Sequence, residues 1–212
     1  AMYASGMLGM EDAFKAIKLR AAAMAEAAEA TGGSMAAIIG SDNETIAKVC
    51  EEVNGFCAPA NYNSPQQTVI AGESAAIDEA VAKFAEMGKR AVKLAVSAAF
   101  HTKLMAGAAE KFKGEIAGFP FKAPNCDFYS NLYGRKLDDF SDMPSYLAAH
   151  ICSPVKFVDE LSAMQSAGIE AYVELGPGKV LTGLVKKFDR SANAMHIENA
   201  ETLEKALAAL KG

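Results

Sequence analysis

The stretch Ser34-Met35-Ala36-Ala37-Ile38-Ile39-Gly40 begins the part of the chain that decides its fold. It is a short apolar run ended by glycine, a pattern typical of a buried strand. Helical spacing follows at residues 42–53, strands at 56–61 and 68–72 around the turn-prone Asn63-Ser64-Pro65, a second helix at 74–87, and a last strand at 90–96. The order strand, helix, strand, strand, helix, strand predicts a ferredoxin-like βαββαβ unit.

The flanking sequence predicts a different architecture. Residues 10–30 have the apolar spacing of a helix, and beyond residue 98 predicted strands alternate with predicted helices. Such alternation is typical of a parallel α/β sheet. We therefore expect a helical segment at 1–33, a ferredoxin-like small domain at 34–97 inserted in a larger α/β domain, and the C-terminal part of that large domain at 98–212.

Composition excludes several classes of function. The 212 residues are 51% hydrophobic and 22% charged, as in a soluble globular protein. A net charge of −5 without a basic block argues against binding to nucleic acid or to an anionic membrane surface. No apolar stretch reaches the ~18 residues of a membrane span. The four cysteines show no C-x-x-C spacing and do not group with the histidines, so we expect no metal site, no disulfide scaffold and a reducing cytoplasm.

Three features could carry chemistry, and each has a plainer interpretation. His101, in Ala98-Ala99-Phe100-His101-Thr102-Lys103-Leu104-Met105, follows a predicted strand and precedes a predicted helix, which suits an acid–base group or a structural histidine. Arg20 on the first helix is either a solvated charge or an anion clamp. Gly176-Pro177-Gly178-Lys179 could hold a phosphate or form a structural turn. Spacing alone favours the plainer interpretation each time.

Several stretches together resemble the malonyl-CoA:acyl carrier protein transacylase family from near the first residue to the last. The matching stretches are residues 34–40, Asn61-Tyr62-Asn63-Ser64-Pro65-Gln66-Gln67-Thr68-Val69-Ile70-Ala71-Gly72, Ala99-Phe100-His101 with Leu104-Met105, Ser153-Pro154-Val155, and Glu174-Leu175-Gly176-Pro177-Gly178-Lys179-Val180-Leu181. The resemblance implies an α/β-hydrolase-like large domain, here partial, that carries the inserted ferredoxin-like domain.

The resemblance also implies an activity and its residues. It implies a ping-pong acyltransferase that moves malonyl from coenzyme A to the phosphopantetheine thiol of acyl carrier protein, in fatty-acid or polyketide synthesis, with no bound cofactor. His101 matches the catalytic histidine, and Arg20 matches the arginine that pairs with the malonyl carboxylate. Phe100 resembles the form that favours malonyl over bulkier groups. His150 stands where glutamine is usual, and its backbone carbonyl is expected to orient His101.

The largest departure from the family is the absence of a G-x-S-x-G nucleophile elbow from these residues. Ser97, Ser130 and Ser153 do not lie in such a pattern. By resemblance the serine belongs a few residues before Ala1, so we expect the C-terminal two-thirds of a transacylase that is inactive alone. The alternatives are a non-catalytic fragment that binds carrier protein or coenzyme A, and a chain that self-associates through exposed core surface.

Overall fold

A computed structural model describes residues 1–211, and the side chain of Lys211 is not considered. The helices are α1 (Met10–Thr31), α2 (Asn43–Glu52), α3 (Ser74–Glu86), α4 (Ala106–Ile116), α5 (Met143–Cys152), α6 (Phe157–Ser166), α7 (Val180–Phe188) and α8 (Ala200–Lys211). The strands are β1 (Ser34–Ile39), β2 (Cys57–Ser64), β3 (Gln67–Gly72), β4 (Arg90–Lys93), β5 (Tyr129–Ser130), β6 (Arg135–Lys136), β7 (Ala171–Leu175) and β8 (Asn193–Ile197). A short 3-10 turn, Lys103–Met105, precedes α4.

The first four strands form one antiparallel sheet in the order β2-β3-β1-β4. Because α2 follows β1 and α3 follows β3, the chain order is βαββαβ, and the predicted ferredoxin-like unit is confirmed. The two helices pack on the sheet around a core that includes Ile38, Ile46, Ile77 and Phe84, none of which is exposed. Burying such side chains stabilises the unit by roughly 1.5–3 kcal/mol each.

Two predicted boundaries in this sheet were wrong. The turn was expected at Asn63-Ser64-Pro65, but β2 continues through Ser64 and β3 begins at Gln67, which leaves only Pro65 and Gln66 between the strands. The prediction gave too much weight to turn-prone residue types, since a hairpin needs only two residues between its strands. The last strand was expected over 90–96, but β4 ends at Lys93. The Leu94 amide still donates to the Met35 carbonyl of β1 at 2.9 Å, but Leu94 and Val96 are each 37% exposed and the ladder does not continue past this bond.

The remaining helices build a second layer beside this sheet. α1 packs against α4, and α4 packs against α5, around buried Phe112, Ile116 and Ile151. β7 and β8 pair in parallel, as the alternation of strands and helices predicted, whereas β5 and β6 form a short antiparallel pair. The strand expected over 126–131 is therefore only two residues long. The mixed α/β class is confirmed, while the division at residues 33/34 and 97/98 stays a prediction.

One contact joins β2 to the segment after α5. The Val155 amide donates to the Ala60 carbonyl, and the Tyr62 amide donates to the Val155 carbonyl, both at 2.8 Å. Asn61 and Val155 thereby form an isolated parallel bridge. The bridge fixes the ferredoxin-like sheet next to the chain segment that contains Ser153, which becomes important at the candidate site.

Within residues 1–211, none of the helices has both the length and the apolar character needed to cross a membrane.

Candidate active site

His101 lies in a tight turn rather than directly at the end of a strand. β4 ends at Lys93, and His101 precedes the 3-10 turn with a φ of 59°. Among residues 1–211 it is the only residue other than glycine with positive φ. The turn is held by Thr102, whose Oγ1 donates to the Ala99 carbonyl at 2.7 Å and accepts from the Leu104 amide at 3.3 Å. A strained backbone that its surroundings hold in place is typical of functional positions.

The segment before His101 is set against the ferredoxin-like sheet by a close backbone approach. Gly33 has a φ of 117°, and a Cβ there would lie 2.9 Å from both the Ala99 amide nitrogen and the Gly72 carbonyl oxygen. Only glycine fits this contact without displacing backbone. Ala99 is completely buried, so the backbone two residues before His101 is held in place against the sheet.

His101 forms one hydrogen bond that determines its tautomer. Its Nδ1 lies 3.1 Å from the backbone carbonyl oxygen of His150 in the last turn of α5. Carbonyls in the last turn of a helix have no partner within the helix, so this one is available to accept. Because a carbonyl can only accept, Nδ1 carries the proton and Nε2 carries the lone pair. Nε2 is therefore the nitrogen that can act as a base.

The surroundings of His101 favour its neutral form. Burial lowers its pKa most, the His150 carbonyl raises it, the positive charge of Arg20 lowers it, and the Ser153 carbonyl raises it. The net result is a pKa below the ordinary 6.5. The ring is thus ready to accept a proton near neutral pH.

A second network surrounds the side chain of His150. The Tyr146 hydroxyl lies 2.8 Å from the Ser130 hydroxyl oxygen and 3.3 Å from His150 Nε2. The Tyr146 and His150 rings meet edge to face at 5.2 Å. Their spacing of four residues places both on one face of α5. The sequence prediction missed Tyr146 and Ser130 in this role, and the four-residue spacing was the available signal for Tyr146.

The ring of His150 is held neutral more strongly than that of His101. Burial lowers its pKa first, followed by the charges of Arg20 and His101, to about 4. A neutral side chain at this position adds no charge to the cavity beside it. Its backbone carbonyl remains free to serve His101.

Arg20 lies at the wall of a cavity of about 300 Å³ that also contains Tyr146 and His150. The other walls are mostly apolar, including Leu8, Ala16 and Phe112. Burial lowers the pKa of Arg20, but an arginine stays charged at neutral pH. Within the described residues the guanidinium has no carboxylate partner within ion-pair distance, so its fork of donors is available to an anionic ligand. The structure therefore brings the predicted residues Arg20, His101 and His150 together.

Phe100 lies directly before His101 and is partly buried. It packs against the core cluster that contains Ala108 and Phe112 and also against the one that contains Met35 and Val69. Its ring thus bridges the helical layer and the ferredoxin-like sheet. Phe100 is not among the residues that line the cavity at Arg20, so its part in acyl selectivity stays a prediction.

Three amides of the glycine-rich turn and the start of α7 already donate to carboxylates. The Leu181 and Thr182 amides at the start of α7 donate to the Glu174 carboxylate at 3.0 and 2.7 Å. The Gly178 amide donates to Glu198 at 2.8 Å. Two side-chain carboxylates thus occupy the anion-binding position of the helix. The structural interpretation of this turn fits the geometry.

Among residues 1–211, no three His, Cys, Asp or Glu side chains are grouped so that they could hold a metal ion.

Removing the Tyr146 hydroxyl tests the network around His150. Tyr146→Phe leaves a buried Ser130 hydroxyl and His150 Nε2 without their shared partner, so we expect a loss of about 1–3 kcal/mol in the free energy of unfolding. Urea unfolding measures it. The control is Tyr133→Phe, because that ring is 47% exposed and its loss should stay within about 0.5 kcal/mol. Equal losses in both variants would contradict the network.

The lowered pKa of His150 predicts a pH effect on stability. Its folded-state pKa of about 4 lies below the ordinary 6.5, so below pH 6.5 the unfolded chain takes up a proton that the folded chain refuses. His150→Gln removes that uptake. Relative to the variant, the parent chain should lose about 2–3 kcal/mol as the pH falls from 6.5 to 4. Urea unfolding of both chains across that range measures the difference, and a constant difference would show that His150 ionises normally.

Comparison with known proteins shows which family the chain belongs to. The family described as "Acyl transferase domain" matches residues 1–208. The chain is 35% identical to the malonyl CoA-acyl carrier protein transacylase of Bacillus subtilis, covering 100% of this chain and 68% of that protein. It is 33% identical to the malonyl CoA-acyl carrier protein transacylase of Staphylococcus aureus (strain MRSA252), covering 96% of this chain and 67% of that protein. The chain thus spans about two thirds of the length of these relatives.

Solved structures of transacylases are also similar to this chain. The MCAT of Streptococcus pneumoniae superposes with a TM-score of 0.93 at 39% identity, covering 99% of this chain and 69% of that one. The transacylase from Clostridium perfringens superposes with a TM-score of 0.95 at 34% identity, covering 100% of this chain and 67% of that one. A malonyl-transacylase in complex with its type II PKS acyl-carrier protein superposes with a TM-score of 0.92 at 32% identity, covering 99% of this chain and 69% of that one. The chain therefore belongs to the malonyl CoA-acyl carrier protein transacylase family of acyl transferases.

Proposed function

We propose that this chain provides the base and the carboxylate clamp of a malonyltransferase that moves malonyl from coenzyme A to acyl carrier protein. The observation that carries the proposal is the pairing of two features at one site. The His150 carbonyl holds Nδ1–H of His101, and Arg20 points an unpaired guanidinium into the neighbouring cavity. Family membership supports the same activity.

The proposed reaction has two steps, and the base acts in both. In the first, His101 Nε2 takes the proton of a serine hydroxyl while the oxygen attacks the malonyl thioester carbon. The C–S bond breaks, and the proton passes to the sulfur of coenzyme A. In the second, Nε2 takes the proton of the carrier protein's pantetheine thiol and the sulfur attacks the carbonyl carbon of the serine ester. The ester C–O bond breaks, and the proton passes from Nε2 to the serine oxygen. The 212 residues contain no G-x-S-x-G, so the proposal takes this serine from outside them.

Three other residues have proposed roles. The Arg20 guanidinium pairs bidentately with the free carboxylate of the malonyl group, which an acetyl group lacks. The His150 carbonyl positions His101. Phe100 limits the room beside the α-carbon of the acyl group.

The role of Phe100 predicts a change in acyl selectivity. Phe100→Ala should raise the kcat/KM ratio of methylmalonyl-CoA to malonyl-CoA by about 10-fold, since a pocket distinguishes one methyl group by roughly that factor. The matched control is Leu104→Ala, because Leu104 packs against the same cluster without adjoining the base. Competition between the two thioesters measures the ratio. A ratio that changes equally in both variants would assign Phe100 to packing alone.

A transfer assay tests the function. The 212 residues are joined at Ala1 to the part of the Bacillus subtilis transacylase that they do not cover, and the chimera is given malonyl-CoA and holo carrier protein. We expect transfer by the chimera and none by the 212 residues alone. A folded chimera without transfer would contradict the proposal. Transfer by the 212 residues alone would contradict the inference that the nucleophilic serine lies outside them.

A second candidate is a non-catalytic fragment that binds carrier protein or coenzyme A. It is favoured by the absence of an elbow serine from these residues and by the open cavity at Arg20. Calorimetry of the 212-residue chain with either partner distinguishes the candidates, because a binding fragment retains affinity without transfer.

Exposed apolar side chains support self-association as a further property of these residues. Ile17, Leu175 and Val180 are 66%, 70% and 73% exposed. Contacts between copies would remove such surface from water. Light scattering after size-exclusion chromatography tests this, and a strict monomer would exclude it.

A cytoplasmic location belongs to the same proposal and is supported by the four free cysteines.

A further inference from the structure

Cys50 and Cys57 form a pair of buried thiols in the core of the ferredoxin-like unit. Cys50 lies in the last turn of α2, and Cys57 is the first residue of β2. Their sulfur atoms lie 3.3 Å apart, within hydrogen-bonding distance for thiols, and the two residues are only 5% and 9% exposed. Neither residue lines the cavity at Arg20, so the proposed transfer does not use them.

The segment that connects the two cysteines, residues 51–56, is fastened to α3. The backbone and side-chain nitrogens of Asn54 donate to the Glu79 carboxylate at 3.0 and 3.1 Å. The amide of Glu73, directly before α3, donates to the Phe56 carbonyl at 2.8 Å. Because these bonds hold the segment in place, the fold itself sets the approach of the two sulfur atoms.

The other two cysteines provide a contrast. Cys126 is exposed and Cys152 is half-buried, and within residues 1–211 neither lies against another cysteine. No third His, Cys, Asp or Glu side chain in the same range is grouped with Cys50 and Cys57, so the pair lacks the ligand set of a zinc site. The chemistry that two thiols in contact share is oxidation to a disulfide.

The contact makes the two thiols unequal. A hydrogen bond from Cys50 lowers the pKa of Cys57 below its ordinary 9.0, while the same contact and then burial raise the pKa of Cys50. Since the thiolate is the form that reacts with oxidants, Cys57 is the sulfur that reacts first. Cys57 also adjoins the surface, because Asn54 and Gly55 shortly before it are exposed and β2 is an edge strand of its sheet. A small oxidant therefore has a short path to it.

We propose that Cys50 and Cys57 are a redox-active dithiol that hydrogen peroxide converts into a disulfide within the folded chain, without displacing the surrounding core. In the first step the Cys57 sulfur attacks one oxygen of the peroxide, the O–O bond breaks, and water departs to leave a sulfenic acid. In the second the Cys50 sulfur attacks the Cys57 sulfur, the S–O bond breaks, and the Cys50 proton leaves with the oxygen as a second water. The two thiols lose two electrons, and the peroxide gains them. A disulfide of this kind is absent in a reducing compartment and forms only when peroxide is present.

Peptide mapping of the folded 212-residue chain after treatment with hydrogen peroxide tests the proposal. Free thiols are blocked with iodoacetamide, and a protease that cleaves after glutamate then separates peptide 45–51, with Cys50, from peptide 53–73, with Cys57. We expect the two peptides to stay joined, with a mass lower by two hydrogens than their sum, and to separate on reduction with dithiothreitol. Cys126→Ala, which removes the exposed thiol, should keep the link. Two blocked thiols at Cys50 and Cys57 while Cys126 is oxidised, or a link that forms only in urea, would overturn the proposal.

Thermal unfolding tests whether the folded core accepts the link. A disulfide between residues 50 and 57 closes a short loop in the unfolded chain, so the Tm of the oxidised parent should exceed that of the reduced parent by about 5–10 °C. Cys50→Ala should show no such rise after the same treatment. An unchanged or lower Tm in the oxidised parent would show that the link distorts the core and would overturn the proposal. The peptide map and the Tm of the parent chain decide the question even if an alanine variant does not fold.

Discussion

Replacing Arg20 by glutamine in the chimera is expected to lower kcat/KM for malonyl-CoA by about 100-fold. The reason is the loss of a charge-assisted, bidentate pair with the malonyl carboxylate in a partly buried cavity, where removing one partner costs roughly 2–5 kcal/mol. Acetyl-CoA has no such carboxylate, so its kcat/KM should not fall. Initial rates with both thioesters measure the effect.

The matched control for Arg20 is Lys18→Gln. Lys18 is an exposed cation on the same helix, two residues away, and its loss should leave both rates within about 2-fold. Arg20→Lys separates charge from geometry, because an ammonium cannot pair bidentately. A loss of equal size for malonyl-CoA and acetyl-CoA in Arg20→Gln would assign Arg20 a structural role.

Replacing His101 by alanine should lower kcat for malonyl transfer by about 10²–10⁴-fold, which is the usual contribution of a general base. The variant should remain folded, since His101 is only partly buried. His196→Ala is the control, because His196 pairs with Glu198 on another part of the chain. Rates within 10-fold of the parent in His101→Ala would exclude His101 as the base.

The pH profile of the parent chimera gives a second test of His101. A base must be neutral to accept a proton, so kcat/KM should fall as the pH drops through its pKa. Because burial places that pKa below the ordinary 6.5, the acid limb should have its midpoint below pH 6.5. A midpoint above 6.5 would mean that the imidazolium is stabilised at this site, contrary to its observed surroundings.

The fold was predictable where periodicity and local propensity agree. Residues 34–93 alternate apolar strands with amphipathic helices, and the predicted βαββαβ order was confirmed. The hairpin turn was misplaced because Asn63 and Ser64 favour turns by residue type, whereas cross-strand pairing with Gln67 and Thr68 extends the strand past them. Strand pairing is a long-range interaction that local propensity does not record.

The site was predictable only in part, for a related reason. His101 could be selected from its position, while Arg20 and His150 depended on resemblance to a family. The contact that gives His101 its tautomer spans 49 residues of sequence. Tyr146 escaped notice because its value comes from two partners, Ser130 and His150, that only the folded chain brings within reach. Spacing can place residues on one helix face, but it does not show what lies opposite that face.

The most direct test of a Ser/His malonyltransferase is the covalent intermediate itself. The chimera is incubated with malonyl-CoA labelled in the malonyl group, without carrier protein, and the label on the denatured protein is counted. The account predicts close to one malonyl group per chain, released when holo carrier protein is added before denaturation, and very little label in His101→Ala. Transfer to carrier protein without any labelled enzyme, or full labelling in His101→Ala, would contradict it.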